Sequence, residues 1–250
     1  ILLCVLFAGF FFLEGFDYGT GILLPVIGKT DVERRQMINA LGPIWDGNEV
    51  WMITAGGALF ASFPHVYATL FSGFYMALFL MLAVLIMRGV AFEFRSKSAN
   101  RTWRKVFDYC IFIGSIVPAL LWGVTVGNLI QGTPIDETMT YVGTFWDLLS
   151  PYTVLCGVAF VLVFTYHGGL FTSIKTAGPI SERARAASLV TGVPTAIGVI
   201  ALIIASYVYT DLYSSILATI FCALAVVCFL ISWAAARTRN TKWGFVFSYL

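Results

Sequence analysis

Two carboxylates, one amide and two indoles occupy the seven residues from Trp45 to Trp51, WDGNEVW. The stretch that follows, through Phe63, contains no formally charged side chain. Asp46 and Glu49 are spaced i, i+3, so on a helix they share one face. Carboxylates that are partly removed from water can hold or pass protons near neutral pH, and acids inside membranes usually have a function. The pattern therefore predicts a proton-handling segment, with Asp46 as the first candidate.

Four other acidic side chains lie toward the same side of the predicted helices: Glu14, Asp17, Glu93 and Asp108. A row of carboxylates that leads in from one side of a membrane suits proton uptake. A structural role is the alternative, because acids in the first turn of a helix interact favourably with its dipole. In that alternative Glu49 pairs with Arg34 or Arg35.

The chain has two histidines, His65 and His167, which the predicted topology puts on opposite sides of the membrane. They cannot clamp one heme together, which excludes bis-histidine ligation by this chain; a single axial histidine stays open as an alternative. The five cysteines are scattered through apolar stretches, as is typical of small packing residues. No CxxCH motif, phosphate-binding loop or metal-type Cys/His spacing occurs. We therefore predict no catalytic residue, heme ligand or metal ligand in this chain.

The composition is that of a helical membrane protein. Hydrophobic residues make up 59% of the 250 residues and charged residues only 11%, whereas soluble domains have about a quarter charged residues. Strict alternation of apolar and polar residues, the pattern of a membrane barrel, is absent. The net charge of +2 argues against an acidic partner, nucleic acid included. We predict an all-α polytopic membrane protein.

A helix that crosses a bilayer needs roughly 20 apolar residues. Seven such segments are predicted, and an eighth starts near Trp243; the seven are 1–25, 43–63, 66–87, 107–130, 151–171, 187–209 and 212–236. Only Pro64-His65 separates the second and third segments, which predicts a tight hairpin; one long helix bent at Pro64 is the alternative. Both ends lie inside apolar stretches, so we expect a fragment of a longer chain. The loops are too short for a folded module, so residues 1–250 form a single membrane domain.

The basic residues segregate completely between the predicted loops. All 15 Lys and Arg residues fall in alternate loops: Lys29, Arg34, Arg35; Arg88, Arg95, Lys97, Arg101, Arg104, Lys105; Lys175, Arg183, Arg185; Arg237, Arg239, Lys242. By the positive-inside rule these loops face the cytoplasm and the amino end lies outside. Reading residues 26–65 as one loop would divide the basic residues between both faces, so the segregation favours the hairpin. In the structural alternative, Glu93 pairs within its loop with Arg88 or Arg95.

Several motifs resemble subunit II of the cytochrome bd quinol oxidases. They are the WDGNEVW block, Gly15-Phe16-Asp17, the GGALFA segment at 56–61, FSGFY at 71–75, Arg95-Ser96-Lys97 and GNLIQG at 127–132. The match runs in order over essentially the whole chain. The block is very specific, whereas the later helices match mainly by pattern.

The resemblance implies a fold of two four-helix bundles plus a peripheral helix, with the first bundle at about 1–130 and the second from about 145. It implies a bacterial or archaeal cytoplasmic membrane and a partner, subunit I, which carries the quinol site and the hemes b558, b595 and d. Subunit II ligates no heme in this family, in agreement with the histidine count. Some members hold a structural quinone or a lipid in subunit II, and small single-span accessory subunits are further candidate partners.

The resemblance also implies roles for individual residues. Asp46 belongs to a proton route from the cytoplasm, and Trp51 lies near a hydrophobic oxygen-access route. The two groups of candidates are the proton route Asp46, Asp17, Glu14 and Glu49, and the oxygen-access and interface group Trp51, Trp45 and Asn48.

The predicted function is therefore the heme-free subunit II of a cytochrome bd-type quinol:oxygen oxidoreductase in a respiratory chain. The complex would oxidise quinol, reduce oxygen to water and take protons from the cytoplasm, which generates proton motive force. The alternative is a stand-alone proton-coupled secondary transporter. Such proteins often show inverted repeats and binding sites in broken helices near the midplane. The acids here lie toward one side, which disfavours that alternative.

Overall fold

The chain folds almost entirely into α-helices. The computed structural model describes residues 1–249, and within that range the sole β-pairing is an isolated bridge between Ile135 and Tyr141. The helices are α1 (Leu2–Ile27), α2 (Asp31–Leu41), α3 (Trp45–Ser62), α4 (Pro64–Gly73), α5 (Tyr75–Phe94), α6 (Arg101–Gln131), α7 (Pro151–Lys175), α8 (Pro179–Tyr209), α9 (Ile216–Arg237) and α10 (Thr241–Phe247).

Six of the described helices are long and apolar enough to cross a membrane, namely α1, α5, α6, α7, α8 and α9. The prediction of an all-α polytopic membrane protein is confirmed. α3 is not among the six; it has 18 residues, and its first two turns carry Asp46, Asn48 and Glu49. The count of seven membrane segments therefore stays a prediction. The short α10 forms where the start of an eighth was predicted, near Trp243.

The segment predicted as the third membrane helix, 66–87, is divided in the structure. α4 ends at Gly73, and α5 begins at Tyr75 and extends to Phe94. Between them Phe74 leaves helical geometry, with φ −95° and ψ 15°. The predicted start at 66 and the predicted end at 87 were both wrong, because hydrophobicity alone does not distinguish a short apolar helix from the start of a membrane-spanning one. As a consequence Arg88 lies inside α5 rather than in a basic loop.

The chain reverses direction between α3 and α5. The start of α3 lies beside the end of α5, where Glu49 Oε1 is 3.1 Å from Arg88 Nη1. α4 lies at the other end, where the Thr69 hydroxyl donates a hydrogen bond to the carbonyl of Met139 in the loop after α6. The observed arrangement is therefore a hairpin and not one bent helix. The predicted tight turn at Pro64-His65 was wrong, because these residues begin α4, which forms the connection.

Ion pairs join the basic loops at one end of the bundle. Arg95 lies between α2 and α6. Its Nη2 is 3.0 Å from Asp31 Oδ1 of α2, and its Nε is 2.5 Å from Asp108 Oδ1 of α6. Arg34 also contacts Asp108, at 2.7 Å. The prediction that these basic loops lie on the same side is confirmed. Asp108 has a structural role, which was the alternative to a role in proton uptake.

The start of α2 connects this end to α1 and α8. Thr30 and Glu33 form a capping box, in which the Thr30 side chain accepts from the Glu33 N–H and the Glu33 carboxylate accepts from the Thr30 N–H. Arg183 of α8 pairs with the same carboxylate and donates to the carbonyl of Ile27 at the end of α1. The backbone N–H groups of Thr30 and Lys29, together with Arg183, lower the pKa of Glu33. α8 is thus tied to the loop between α1 and α2.

Glycines allow α7 to lie close against α1 and α6. A Cβ atom on Gly168 of α7 would overlap the backbone of Gly19 in α1. A Cβ atom on Gly123 of α6 would lie 2.5 Å from the carbonyl oxygen of Cys156. Small residues of this kind are the usual means of close helix approach in membranes. α7 therefore contacts helices of the predicted first bundle directly, and the division at about 130 and 145 stays a prediction.

We expect Gly168→Ala to destabilise the protein by about 1–3 kcal/mol, because the added methyl group meets backbone atoms that cannot rotate away. Thermal unfolding of the purified protein in detergent measures the effect. Gly56→Ala is the matched control, because a Cβ atom there meets no atom within 4 Å. Equal melting temperatures for the two variants would contradict the close crossing.

Candidate functional site

A cluster of polar side chains lies between α1, α3 and α5. We call it the Arg88 cluster, and its members are Glu14, Asp17, Tyr18, Asn48, Glu49 and Arg88. Glu14, Asp17, Tyr18 and Arg88 have no exposed surface, and Asn48 is 6% exposed. Polar and charged groups at such depth are expensive unless they are paired, so the contacts within the cluster decide what it can do.

Arg88 bridges two helices from a third. Its Nη1 donates to Glu14 Oε2 on α1 at 3.3 Å and to Glu49 Oε1 on α3 at 3.1 Å. Beside this bridge, Asn48 Nδ2 donates to Asp17 Oδ2 at 2.9 Å. Every member of the cluster except Tyr18 therefore takes part in a hydrogen bond between helices.

Helical spacing explains how the local sequence supplies these groups. Glu14, Asp17 and Tyr18 are spaced i, i+3, i+4, which puts them on one face of α1. Asn48 and Glu49 follow one another in the first turns of α3, so one side chain points to Asp17 and the other to Arg88. The polar residues of the WDGNEVW block thus meet those of α1.

The cluster contains more negative than positive groups. Three carboxylates, of Glu14, Asp17 and Glu49, accompany the guanidinium of Arg88. A unit pair at about 4 Å and an effective dielectric constant of about 20 gains roughly 4 kcal/mol, and an unpaired buried ion costs several kcal/mol. Arg88 therefore compensates about one buried carboxylate. Of the two fully buried carboxylates, Glu14 and Asp17, the second then needs a hydrogen-bond donor, such as Asn48, or a bound proton.

Aromatic rings enclose the guanidinium. The Cζ atom of Arg88 lies 4.9 Å from the centre of the Tyr18 ring and 5.3 Å from that of Phe92. Desolvated contacts of this type contribute about 2 kcal/mol each. Trp45 packs over Phe92, with ring centres 5.2 Å apart. The first indole of the block therefore covers the cluster on the side of the basic loops.

The predicted proton-route residues divide into two sets. Glu14, Asp17 and Glu49 belong to the Arg88 cluster, and Glu49 keeps 21% of its side-chain surface exposed. Asp46 lies outside the cluster, exposed in the first turn of α3. The two acids of the block are one turn apart, so Asp46 stands next to the exposed side of Glu49.

The predicted interface residues contact helices of this chain. Trp45 packs against α5, and the buried Asn48 faces Asp17. Trp51 is half-buried against α1, where a Cβ atom on Gly9 would lie 2.5 Å from the indole. Their predicted roles at an interface with a partner stay predictions.

Two pairings expected from the sequence are wrong. Glu49 pairs with Arg88 and not with the arginines of the first basic loop, of which Arg34 bonds to Asp108. Glu93 is exposed, and both arginines assigned to it bond to other acids. Sequence proximity favoured these neighbours, whereas helix packing brought more distant partners together.

Arg88 and Tyr18 are the members of the site that sequence reasoning missed. The available signal was the apolar run Gly89-Val90-Ala91-Phe92 after Arg88. Such a run continues a helix past the arginine instead of ending it. A buried arginine then requires an acid at the same depth, and the acids of α1 were available.

The whole chain matches a known family. The family described as cytochrome bd terminal oxidase subunit II matches residues 1–250. The chain belongs to the cytochrome bd terminal oxidase subunit II family. This confirms the resemblance that the WDGNEVW block and the other motifs predicted.

Three relatives show how much of the family this subunit II chain covers. Cytochrome bd ubiquinol oxidase subunit 2 of Bacillus subtilis is 40% identical over 248 residues, which cover 98% of this chain and 73% of the relative. The probable cytochrome oxidase subunit 2 of Haemophilus influenzae is 49% identical over 201 residues, or 79% and 53%. Cytochrome bd-I ubiquinol oxidase subunit 2 of Escherichia coli K12 is 47% identical over 199 residues, or 78% and 52%. The chain spans about half the length of the last two.

The fold of this subunit II chain is also similar to a solved structure, that of bd oxidase from Geobacillus thermodenitrificans. The TM-score is 0.80 at 16% sequence identity, and the match covers 99% of this chain and 79% of that chain. At this identity the likeness supports the fold alone.

His167 lies in aromatic packing in this subunit II chain, and its Nε2 is buried without a hydrogen-bond partner among the described residues. The imidazole stacks on Phe245, with ring centres 4.6 Å apart and planes at 7°, and its Nδ1 lies 2.7 Å from Ser248 Oγ. Phe12 and Phe16 pack against it at 5.6 and 5.8 Å. Within residues 1–249, no three His, Cys, Asp or Glu side chains are grouped so that they could hold a metal ion. That this chain ligates no heme stays a prediction.

We expect Arg88→Gln to destabilise the subunit by about 3–5 kcal/mol, because it leaves Glu14 buried without its cation. The double variant Arg88→Gln/Glu14→Gln should recover part of that loss, since it removes both charges. Unfolding in detergent, analysed as a double-mutant cycle, measures the coupling. Arg101→Gln, at an exposed arginine, is the control and should change stability little. Additive effects of the two cluster substitutions would argue against the ion pair.

Proposed function

We propose that this chain is the heme-free subunit II of a cytochrome bd-type quinol:oxygen oxidoreductase in a bacterial respiratory membrane. Membership of the subunit II family over residues 1–250 supports the proposal. The relatives from Bacillus subtilis and Escherichia coli, which are named as ubiquinol oxidase subunits, support it as well. In this proposal subunit I binds quinol and holds hemes b558, b595 and d. This chain supplies protons and a surface for subunit I.

The observation that carries the proton role is a line of acids running inward from the basic end of the bundle. Asp46 is exposed, Glu49 is half-buried one turn further on, and Glu14 and Asp17 are fully buried. The positive-inside rule assigns the basic end to the cytoplasm, with the amino end outside. Protons would therefore enter at Asp46 and Glu49.

The exposed face of α3 is the proposed contact with subunit I. It presents Asp46 together with the apolar side chains Val50, Ile53 and Phe60. A carboxylate on an apolar helix face is costly against lipid, and a partner with polar groups at that depth would lower the cost. Trp51 lies beside this face in apolar packing with α1, which suits the proposed oxygen access.

Co-purification tests the assignment to an oxidase complex. We expect a tagged version of this chain, purified from its native membrane, to show heme b and heme d bands in a reduced-minus-oxidised spectrum. The bands would come from subunit I. A colourless preparation of this chain alone would contradict the proposal and favour the proton-coupled transporter.

We expect Asp46→Asn to lower quinol oxidase turnover by roughly 100-fold or more, because an amide cannot relay a proton and a positioned proton-transfer group contributes about 10²–10⁴-fold. The complex should keep its full heme content, because Asn has nearly the size of Asp and can still form hydrogen bonds at the proposed contact with subunit I, and because Asp46 takes no part in the Arg88 cluster. Oxygen consumption and the heme spectrum are measured on the same preparation.

Glu93→Gln is the matched control for this experiment. It neutralises another exposed acid at the same end of the bundle, and turnover should stay unchanged. Normal turnover of Asp46→Asn at full heme content would remove Asp46 from the route. Loss of the hemes would instead assign Asp46 to assembly.

A further inference from the structure

The Arg88 cluster is closed on the side away from the basic loops. Phe10 lies one turn before Glu14 on α1, and Leu85 lies one turn before Arg88 on α5. Phe10 is 0% exposed and Leu85 is 7% exposed, and both belong to the same apolar core. Because these side chains carry no group that can take a proton, the cluster has no proton path through them.

Glu49 is the open side of the cluster. Phe92 and Trp45 cover Arg88 toward the basic loops. Glu49, in contrast, is exposed for 21% of its side chain, and the exposed Asp46 precedes it by one turn. Glu49 is therefore the exposed acid of the cluster, through which a proton from Asp46 would reach Glu14.

Arg88 can follow a proton between two acids. The same nitrogen, Nη1, contacts Glu14 at 3.3 Å and Glu49 at 3.1 Å. Whichever of the two carboxylates is ionised can therefore keep the guanidinium as its partner. The summed charge of Glu14, Glu49 and Arg88 then stays constant as a proton moves from one acid to the other.

Unpartnered atoms in the cluster mark where a proton can be held. The buried atoms without a hydrogen-bond partner among the described residues include Glu14 Oε1, Asp17 Oδ1, the Tyr18 hydroxyl, and Nε and Nη2 of Arg88. An ionised carboxylate only accepts hydrogen bonds, whereas a protonated one also donates. A proton on Glu14 or Asp17 thus neutralises a carboxylate whose second oxygen has no donor among the described residues.

We propose that Glu14, Asp17, Tyr18 and Arg88 form a dead-end proton reservoir that exchanges protons with the uptake route only through Glu49. The inference rests on the proposed function, since it requires a route past Asp46. It adds Arg88 and Tyr18 as positioning residues, and it puts the buried acids beside the route rather than in series with it.

The exchange step is a simple proton transfer. The O–H bond of protonated Glu49 breaks and an O–H bond forms on the Glu14 carboxylate. Glu49 becomes the carboxylate, and Arg88 Nη1 shifts its hydrogen bond from Glu14 to Glu49. The reverse step returns the proton to the route, and no oxidant or other reactant is needed.

Infrared difference spectroscopy of the purified oxidase complex, recorded between its oxidised and reduced states, tests the reservoir. We expect a carbonyl band of a protonated carboxylic acid that shifts in D₂O and is lost in Glu14→Gln or Asp17→Asn. Tyr18→Phe removes only a hydroxyl group and should shift the band without removing it. Glu93→Gln is the control and should leave the band unchanged.

A single-turnover measurement separates a reservoir from a serial route. The reduced complex is mixed with oxygen, and proton uptake is followed with a pH-indicator dye. Glu14→Gln should lower the amplitude of uptake without changing its rate constant. An unchanged band in all cluster variants, or a slowed rate constant at unchanged amplitude, would overturn the reservoir. A complex without hemes or quinol oxidation would instead overturn the proposed function itself.

Discussion

A charged side chain inside a membrane protein must find its counter-charge within the protein, and Arg88 is the side chain on which this structure depends. Its guanidinium is fully buried and connects α5 to Glu14 on α1 and Glu49 on α3. Because an unpaired ion at this depth costs several kcal/mol, the three helices cannot separate there without leaving a charge uncompensated. The ion pair therefore fixes how α1, α3 and α5 are placed relative to one another.

Close packing on the other side of α1 keeps this arrangement compact. α1 lies between α3 and α7. Gly19 of α1 and Gly168 of α7 meet backbone to backbone, which leaves no space for a side chain between these two helices. At the basic end, Arg95 and Asp108 link the start of α6 to the end of α5. The glycine contact in the middle of the bundle and the ion pair at its basic end thus hold the helices around the acids of α1 together.

Much of the fold could be predicted because a membrane restricts the options. Long apolar segments must be helical, since no water is present to satisfy an open backbone, and the segregation of basic residues indicated the hairpin around α4. Helix ends were less predictable: α5 begins at Tyr75 and carries Arg88 within it. The local signal for a break at Phe74 is Ser72-Gly73 just before it, because glycine favours helix ends, but the long apolar stretches on both sides outweighed that signal.

The sequence by itself determined the family, the membrane-helix character and the residues of the WDGNEVW block, because these depend on residue type and spacing along one helix. It also placed Glu14 and Asp17 toward the same side of the predicted helices as the block. Only the tertiary structure decided that Glu49 joins them while Asp46 stays outside, and that Arg88 is their common partner. The physical reason is that pairing of buried charges depends on which helices touch, and α1, α3 and α5 are brought together by packing between segments far apart in the chain.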